Sequence, residues 1–181
     1  VSHATSRWNI TNLVKAGEND VTAVVVKWCT GSYLEDQDMF RASGIFRDVY
    51  LIFRDKERIS DIEVKTDISK NLKLAEISLK FKTTGTLNIS YTLTDNVGGR
   101  MACGEAEVSD GGKISINPIK NPSLWSDEHP YLYYLYIECG TEVIKLPIGL
   151  RKIEVKKRAV YINGKKVLIK GVNRHDYDPD N

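Results

Sequence analysis

Three clusters of side chains carry groups able to do chemistry. Asn173-Arg174-His175-Asp176-Tyr177-Asp178 sets a histidine, an arginine and two carboxylates just past the apolar run Val167-Leu168-Ile169. A histidine there could donate a hydrogen bond to a ligand hydroxyl or exchange a proton, because its ordinary pKa lies near neutrality. Ser32-Tyr33-Leu34-Glu35-Asp36-Gln37-Asp38-Met39 places three carboxylates within four positions. Such a group could hold calcium or supply acid–base catalysis, but it lacks the glycine and distal glutamate of an EF-hand loop. The plainer reading is that these side chains bond to backbone and pair with Arg41 or Arg47, holding a long loop in shape. The third cluster, Asn121-Pro122-Ser123-Leu124-Trp125 through His129-Pro130-Tyr131-Leu132-Tyr133, is aromatic. Trp125 could stack on a sugar ring. The preferred reading is a plug at the end of a sandwich, with prolines fixing the turn and His129 structural.

The elements that must position these clusters are strands. Val21 to Trp28 (VTAVVVKW) is a β-branched run after the turn signal Gly17-Glu18-Asn19-Asp20, and it predicts a strand buried on both faces. Phe46 to Phe53 predicts another. The polar stretch between them reads as a long loop. Trp8 to Lys15 could hold one turn of helix capped by Asn9 or Thr11.

From Ile59 onward the alternation is clean. Ala75, Ile77, Leu79 and Phe81 point one way, with Glu76, Ser78 and Lys80 opposite. Leu87, Ile89, Tyr91 and Leu93 repeat the pattern against Asn88, Ser90, Thr92 and Thr94. A period of two means half-buried antiparallel strands. Met101 to Val108, Gly112 to Asn117, Leu132 to Cys139 and Glu142 to Ile148 continue the series, and Lys152 to Val155 closes it. About seven short strands at roughly ten-residue spacing predict an immunoglobulin-like sandwich. Asn163-Gly164 between Ala159–Ile162 and Val167–Ile169 is a type I′ hairpin signal. The last run, ending in the polar cluster around His175, reads as a buried barrel strand whose end meets a ligand. With no helix after it and no methionine at Val1, the chain is expected to be an internal piece of a larger protein.

Composition narrows the function classes. The 181 residues are 41% hydrophobic and 28% charged, a globular balance. The net charge is +2 with both signs interspersed, so nucleic acid is not an expected partner. The basic group Lys156-Lys157-Arg158 with Lys165 and Lys166 reads as a solvated turn. No apolar run reaches the roughly 20 residues of a membrane helix. Cys29, Cys103 and Cys139 are too few and scattered for a disulfide framework or zinc ribbon. Cys29 and Cys139 read as buried, inert thiols. GxSxG, phosphate-loop and HExxH motifs are all missing from the sequence.

Five stretches together resemble glycoside hydrolase family 2, and most closely its β-galactosidase branch. They are GSYLEDQDMF (31–40), SGIFRDVYL (43–51), NPSLWSDEHPYLY (121–133), IGLRKIEV (148–155) and INGKKVLIKGVNRHDYDP (162–179), in the family's order. The resemblance implies an all-β chain. Residues 1–56 would be the C-terminal part of a jelly-roll sugar-binding domain, and 57–153 an immunoglobulin-like sandwich. Residues 154–181 would hold the first strand of a truncated catalytic (β/α)8 barrel. It also implies a retaining hydrolase of β-galactosides, whose two catalytic glutamates lie beyond this chain, so the chain alone is expected to be inactive. That chemistry requires two carboxyl groups about 5 Å apart.

His175 matches a histidine of the family's GVNRH motif that lines the galactose pocket, and Arg174 and Asn173 are matched beside it. Magnesium and sodium are implied for the parent, with no ligand for them in this chain. An aspartate that the family carries near the position of Val1 is not found here. A homo-oligomeric, cytoplasmic parent acting on a β-galactoside is expected. The other readings are a different family 2 glycosidase (β-glucuronidase or β-mannosidase), or a stand-alone carbohydrate-binding or adhesion sandwich. The GSYLEDQDMF loop argues against the first and the trailing KGVNRHDYDP against the second.

Overall fold

The computed structural model describes residues 5–34 and 43–173. They form one short helix, α1 (Thr30–Leu34), and ten strands. Contacts divide the chain into two units, Val1–Leu51 with Gly171–Asn181, and Ile52–Lys170.

The second unit contains the sandwich. Its three-stranded sheet is ordered β1 (Ile59–Ile68), β2 (Leu74–Thr83), β5 (Lys113–Lys120). Its four-stranded sheet is ordered β4 (Arg100–Val108), β3 (Leu87–Thr94), β6 (Tyr133–Cys139), β7 (Glu142–Ile148). All pairings are antiparallel, and the chain crosses between sheets after β2, β4 and β5. The alternation read from the sequence is the alternation observed. Ala75, Ile77, Leu79 and Phe81 face the core, and so do Leu87, Ile89 and Leu93. They meet Ile116, Ile119, Leu135, Ile137, Ile148 and Leu150 in one apolar cluster. Each fully buried large side chain contributes about 1.5–3 kcal/mol relative to exposure.

Local rules explain the edges. Pro118 and Pro147 sit on β5 and β7, which are edge strands, where a missing N–H costs no ladder bond. Pro118 also falls where the β2–β5 register shifts, between the pairs Ala75↔Ile119 and Ile77↔Ile116. On β4, Gly104 stands opposite Tyr91, and a Cβ there would lie 2.6 Å from the Tyr91 hydroxyl. With Ala102 and Ala106 beside it, Gly104 keeps this strand thin so that the Tyr91 ring can pack across it.

The third sheet is ordered β10 (Lys165–Lys166), β9 (Ala159–Ile162), β8 (Ile153–Lys156). Here the sequence expectation is corrected: Lys152–Val155 does not close the sandwich, because β8 pairs with β9. The two-residue turn at Lys157-Arg158, both with positive φ, folds β9 back onto β8 before a sandwich strand can capture it. Lys156 pairs with Glu154 at 3.4 Å and lies over the Tyr161 ring, so this basic group is a solvated turn. The Asn163-Gly164 turn is present, with φ of 50° and 78°. Its second arm is Lys165–Lys166, and Leu168 and Ile169 are exposed instead of lying in a buried strand.

In the first unit, Asn9 accepts the Thr11 N–H at the start of a single turn, 3.0 Å. Asn19 organises the Gly17 turn through bonds to the Lys15 and Gly17 backbone. Two sequence-predicted strands are corrected. Val21–Trp28 and Phe46–Phe53 are not strands, and Val24 is 85% exposed. β-branched side chains favour extended backbone, but a strand needs rungs from a neighbour and burial needs a second layer. The described residues supply neither. Cys29, expected to be buried, is exposed for the same reason, whereas Cys139 is buried.

Candidate functional site

The polar groups that the fold brings together lie at the two ends of the sandwich. At one end, the segment 54–58 is fastened to two turns. The Arg54 guanidinium donates to both Glu142 carboxylate oxygens, at 2.7 and 2.6 Å, and to the Ile59 carbonyl at 2.8 Å. Thr141 donates to Asp55 at 3.1 Å. Thr84, between β2 and β3, donates to the Lys56 carbonyl and accepts the Arg58 N–H. The paired guanidinium holds the Glu142 carboxyl below its ordinary value, and Glu142 in turn raises Arg54. Burial pushes the neighbouring Cys139 thiol up.

At the other end Trp125 is half-buried, and its neighbours Leu124 and Tyr131 are the side chains that pack against the core. The Trp125 backbone N–H donates to the Leu150 carbonyl, and the Arg151 guanidinium lies 4.6 Å from the Trp125 ring. Gly149 lets the chain pass close to the ring, since a Cβ there would lie 3.2 Å from the indole, a tight contact. Tyr133, 2% exposed, accepts the Ser123 N–H at 2.9 Å and meets Tyr131 edge-on. Burial raises the Tyr133 phenol and the Ser123 bond opposes it. His129 is structural as read, its backbone bonded to Ser126 and Tyr131. Asn163 joins this end: its side chain accepts the Lys152 N–H at 2.9 Å and donates to the Trp125 carbonyl at 2.9 Å. Strand β6 runs from one joint to the other over seven residues, roughly 20 Å.

Of the sequence-predicted site residues only Asn173 falls among the described residues. Asn173 is exposed and outside any strand. Arg174 and His175 lie outside the described residues, as do Glu35, Asp36 and Asp38 of the acidic loop. A shallow depression on the four-stranded sheet is lined by Glu105, Glu107 and Glu138, all exposed. A glycosidase acid needs shielding from water, and this surface offers none. Among the described residues no three His, Cys, Asp or Glu side chains converge on a metal position. No described helix is long and apolar enough to cross a membrane. The joint residues Arg54, Glu142 and Asn163 were not singled out as functional in the sequence. The available signals were the charge run Arg54-Asp55-Lys56-Glu57-Arg58 at the edge of the alternating region, and the Asn-Gly pair.

Comparisons with known proteins match this architecture. The family description "Glycosyl hydrolases family 2, sugar binding domain" fits residues 1–55, "Glycosyl hydrolases family 2" fits 57–151, and "Glycosyl hydrolases family 2, TIM barrel domain" fits 153–181. A β-galactosidase of Staphylococcus xylosus is 41% identical over 99% of this chain and 18% of its own length. One from Actinobacillus pleuropneumoniae is 39% identical over 99% of this chain and 17% of its own. The chain thus spans about a fifth of the length of these relatives. A solved β-glucuronidase of Bacteroides uniformis shares the fold, with a TM-score of 0.66 and 22% identity over 77% of this chain and 18% of that one. With more than half of its residues matched by one family description and the remainder by the two flanking ones, the chain belongs to glycosyl hydrolase family 2.

Proposed function

We propose that this chain is part of a retaining β-galactosidase, in which it links a sugar-binding domain to a catalytic barrel. The observation that carries this reading is the alignment of nearly the whole chain with two β-galactosidases at 41% and 39% identity. The likeness to the Bacteroides uniformis β-glucuronidase, at 22%, supports the fold and not the sugar. The domain division is 1–56, 57–153 and 154–181. In the whole enzyme His175, with Arg174 and Asn173 beside it, contributes to the galactose pocket as a hydrogen-bonding group. The two carboxyl groups that break the glycosidic bond, one as nucleophile and one as acid and then base, are supplied by other parts of the enzyme. Glu142 does not serve as the acid, since Arg54 holds it ionised. The working form is a cytoplasmic homo-oligomer.

The test compares chromogenic β-galactoside and β-glucuronide. The enzyme carrying this chain is expected to hydrolyse the galactoside with a kcat/KM at least a hundredfold higher, and the reverse preference overturns the reading. His175→Ala in that enzyme is expected to lower kcat/KM about tenfold or more, the size of one lost hydrogen bond. The 181-residue chain alone is expected to turn over neither substrate.

A further inference from the structure

We propose that Asn163 is the positioning residue of the outgoing joint: it fixes the β8–β9 hairpin, with which the segment matched by the barrel description begins, against the end of the sandwich. The inference rests on the family match at 153–181 and not on which sugar the enzyme takes.

The argument starts from the ladder between β8 and β9. Ile153 stands opposite Ile162, so the next rung outward would pair Lys152 with Asn163. In an antiparallel ladder such a rung exchanges two bonds, each residue donating its N–H to the other's carbonyl. Half of this rung is ordinary, with Asn163 N–H donating to the Lys152 carbonyl at 2.8 Å. The other half cannot be. Asn163 is also the first central residue of the Ile162–Lys165 turn, and its φ of 50° is given over to that turn. Its side-chain Oδ1 takes the place of the backbone acceptor and receives the Lys152 N–H. The Nδ2 of the same side chain then reaches the Trp125 carbonyl in the connection between β5 and β6.

One side chain therefore ties the hairpin to two separate connections at the sandwich end, the one between β7 and β8 and the one between β5 and β6. Lys152 follows Leu150, which is wholly buried, and Trp125 is held by the Leu150 carbonyl. Both anchor points are thus fixed to the core, and two bonds in different directions remove the hairpin's freedom to swing. The residue type follows from three demands met together: tolerance of positive φ, an acceptor and a donor. Asparagine meets all three, glycine only the first, and aspartate lacks the donor.

The experiment is NMR on the 181-residue chain. Residual dipolar couplings are collected for the sandwich strands and for β8–β9, with amide exchange of Lys152 and the core amides Leu135 and Ile137. In the native chain one alignment tensor is expected to fit both groups. In Asn163→Gly, which keeps the backbone conformation, the hairpin is expected to need its own, smaller tensor. Lys152 exchange is expected to rise about tenfold while Leu135 and Ile137 are unchanged. Asn163→Asp is expected to keep Lys152 protected and to shift the amide resonance of Ser126, whose peptide unit contains the Trp125 carbonyl. A single tensor that still fits Asn163→Gly overturns the proposal, as does Lys152 protection that survives it. A galactosidase assay plays no part, so failure of the sugar assignment leaves this result standing.

Discussion

Arg54 and Glu142 are 88 positions apart in the chain, yet they meet through two parallel charge-assisted bonds of 2.7 and 2.6 Å. The pair closes the incoming end of the sandwich, and the third Arg54 bond, to the Ile59 carbonyl, fixes the first residue of β1. Both side chains are partly shielded, at 32% and 20% exposure. Arg54→Ala is therefore expected to lower the sandwich's unfolding free energy by about 1–2 kcal/mol in a denaturant titration. Glu142→Gln is expected to recover little when added to Arg54→Ala, because the two residues act as one unit.

The same pair gives a pH dependence of known sign. Glu142 is held below its ordinary value of 4.5, chiefly by its bond to Arg54. Its contribution is fully present above that ordinary value and is lost as pH falls through the lower, folded value. Thermal melts between pH 6 and pH 2.5 are expected to show a fall in Tm below about pH 4 that is smaller in Glu142→Gln. Equal slopes for both proteins would remove Glu142 from the explanation.

Gly104→Val tests the thin strand. Its side chain would enter the space of the Tyr91 ring, 2.6 Å from the hydroxyl at Cβ alone. Overpacking of this kind costs about 1–3 kcal/mol. Tyr91→Ala in the same background is expected to recover part of that loss, measured by chemical denaturation of the double variant.

The thiols report on the core. Cys103 and Cys29 are exposed, whereas Cys139 is 8% exposed with its thiol pushed up by burial. Iodoacetamide at pH 8 is expected to label Cys103 and Cys29 promptly. Cys139 should label only at the rate at which the sandwich opens. Peptide mass spectrometry over a time course distinguishes the three, and prompt labelling of Cys139 would contradict its burial.

The apolar side chains of the first unit give a further expectation. Val21, Val24, Tyr50 and Leu51 are all more than 60% exposed. Such a surface is expected to bind ANS and to promote self-association at high concentration, read by light scattering. A clean monomer throughout would contradict it.

The sandwich was legible in the sequence residue by residue, because a half-buried strand has to alternate. Ala75, Ile77, Leu79 and Phe81 could not all face a core unless Glu76 and Lys80 faced water. The Asn163-Gly164 turn was legible for a similarly local reason, since both residues tolerate positive φ. The run Val21–Trp28 shows where that logic ends. Its side chains specify an extended conformation, but pairing depends on which other segment lies alongside.

Partner choice is what the tertiary structure alone decided. Lys152–Val155 alternates well enough to close a sandwich, but the turn at Lys157-Arg158 delivers β9 as its neighbour first. The joints follow the same rule. Arg54 and Glu142, or Asn163 and Trp125, are unremarkable apart in the sequence, because a hydrogen bond depends on distance in space and the chain's spacing does not encode it. The sequence by itself determined which face of each strand is apolar, where the turns fall and which family the chain resembles. The fold decided which polar side chains meet at the ends of the sandwich, since only packing of the core brings those turns together.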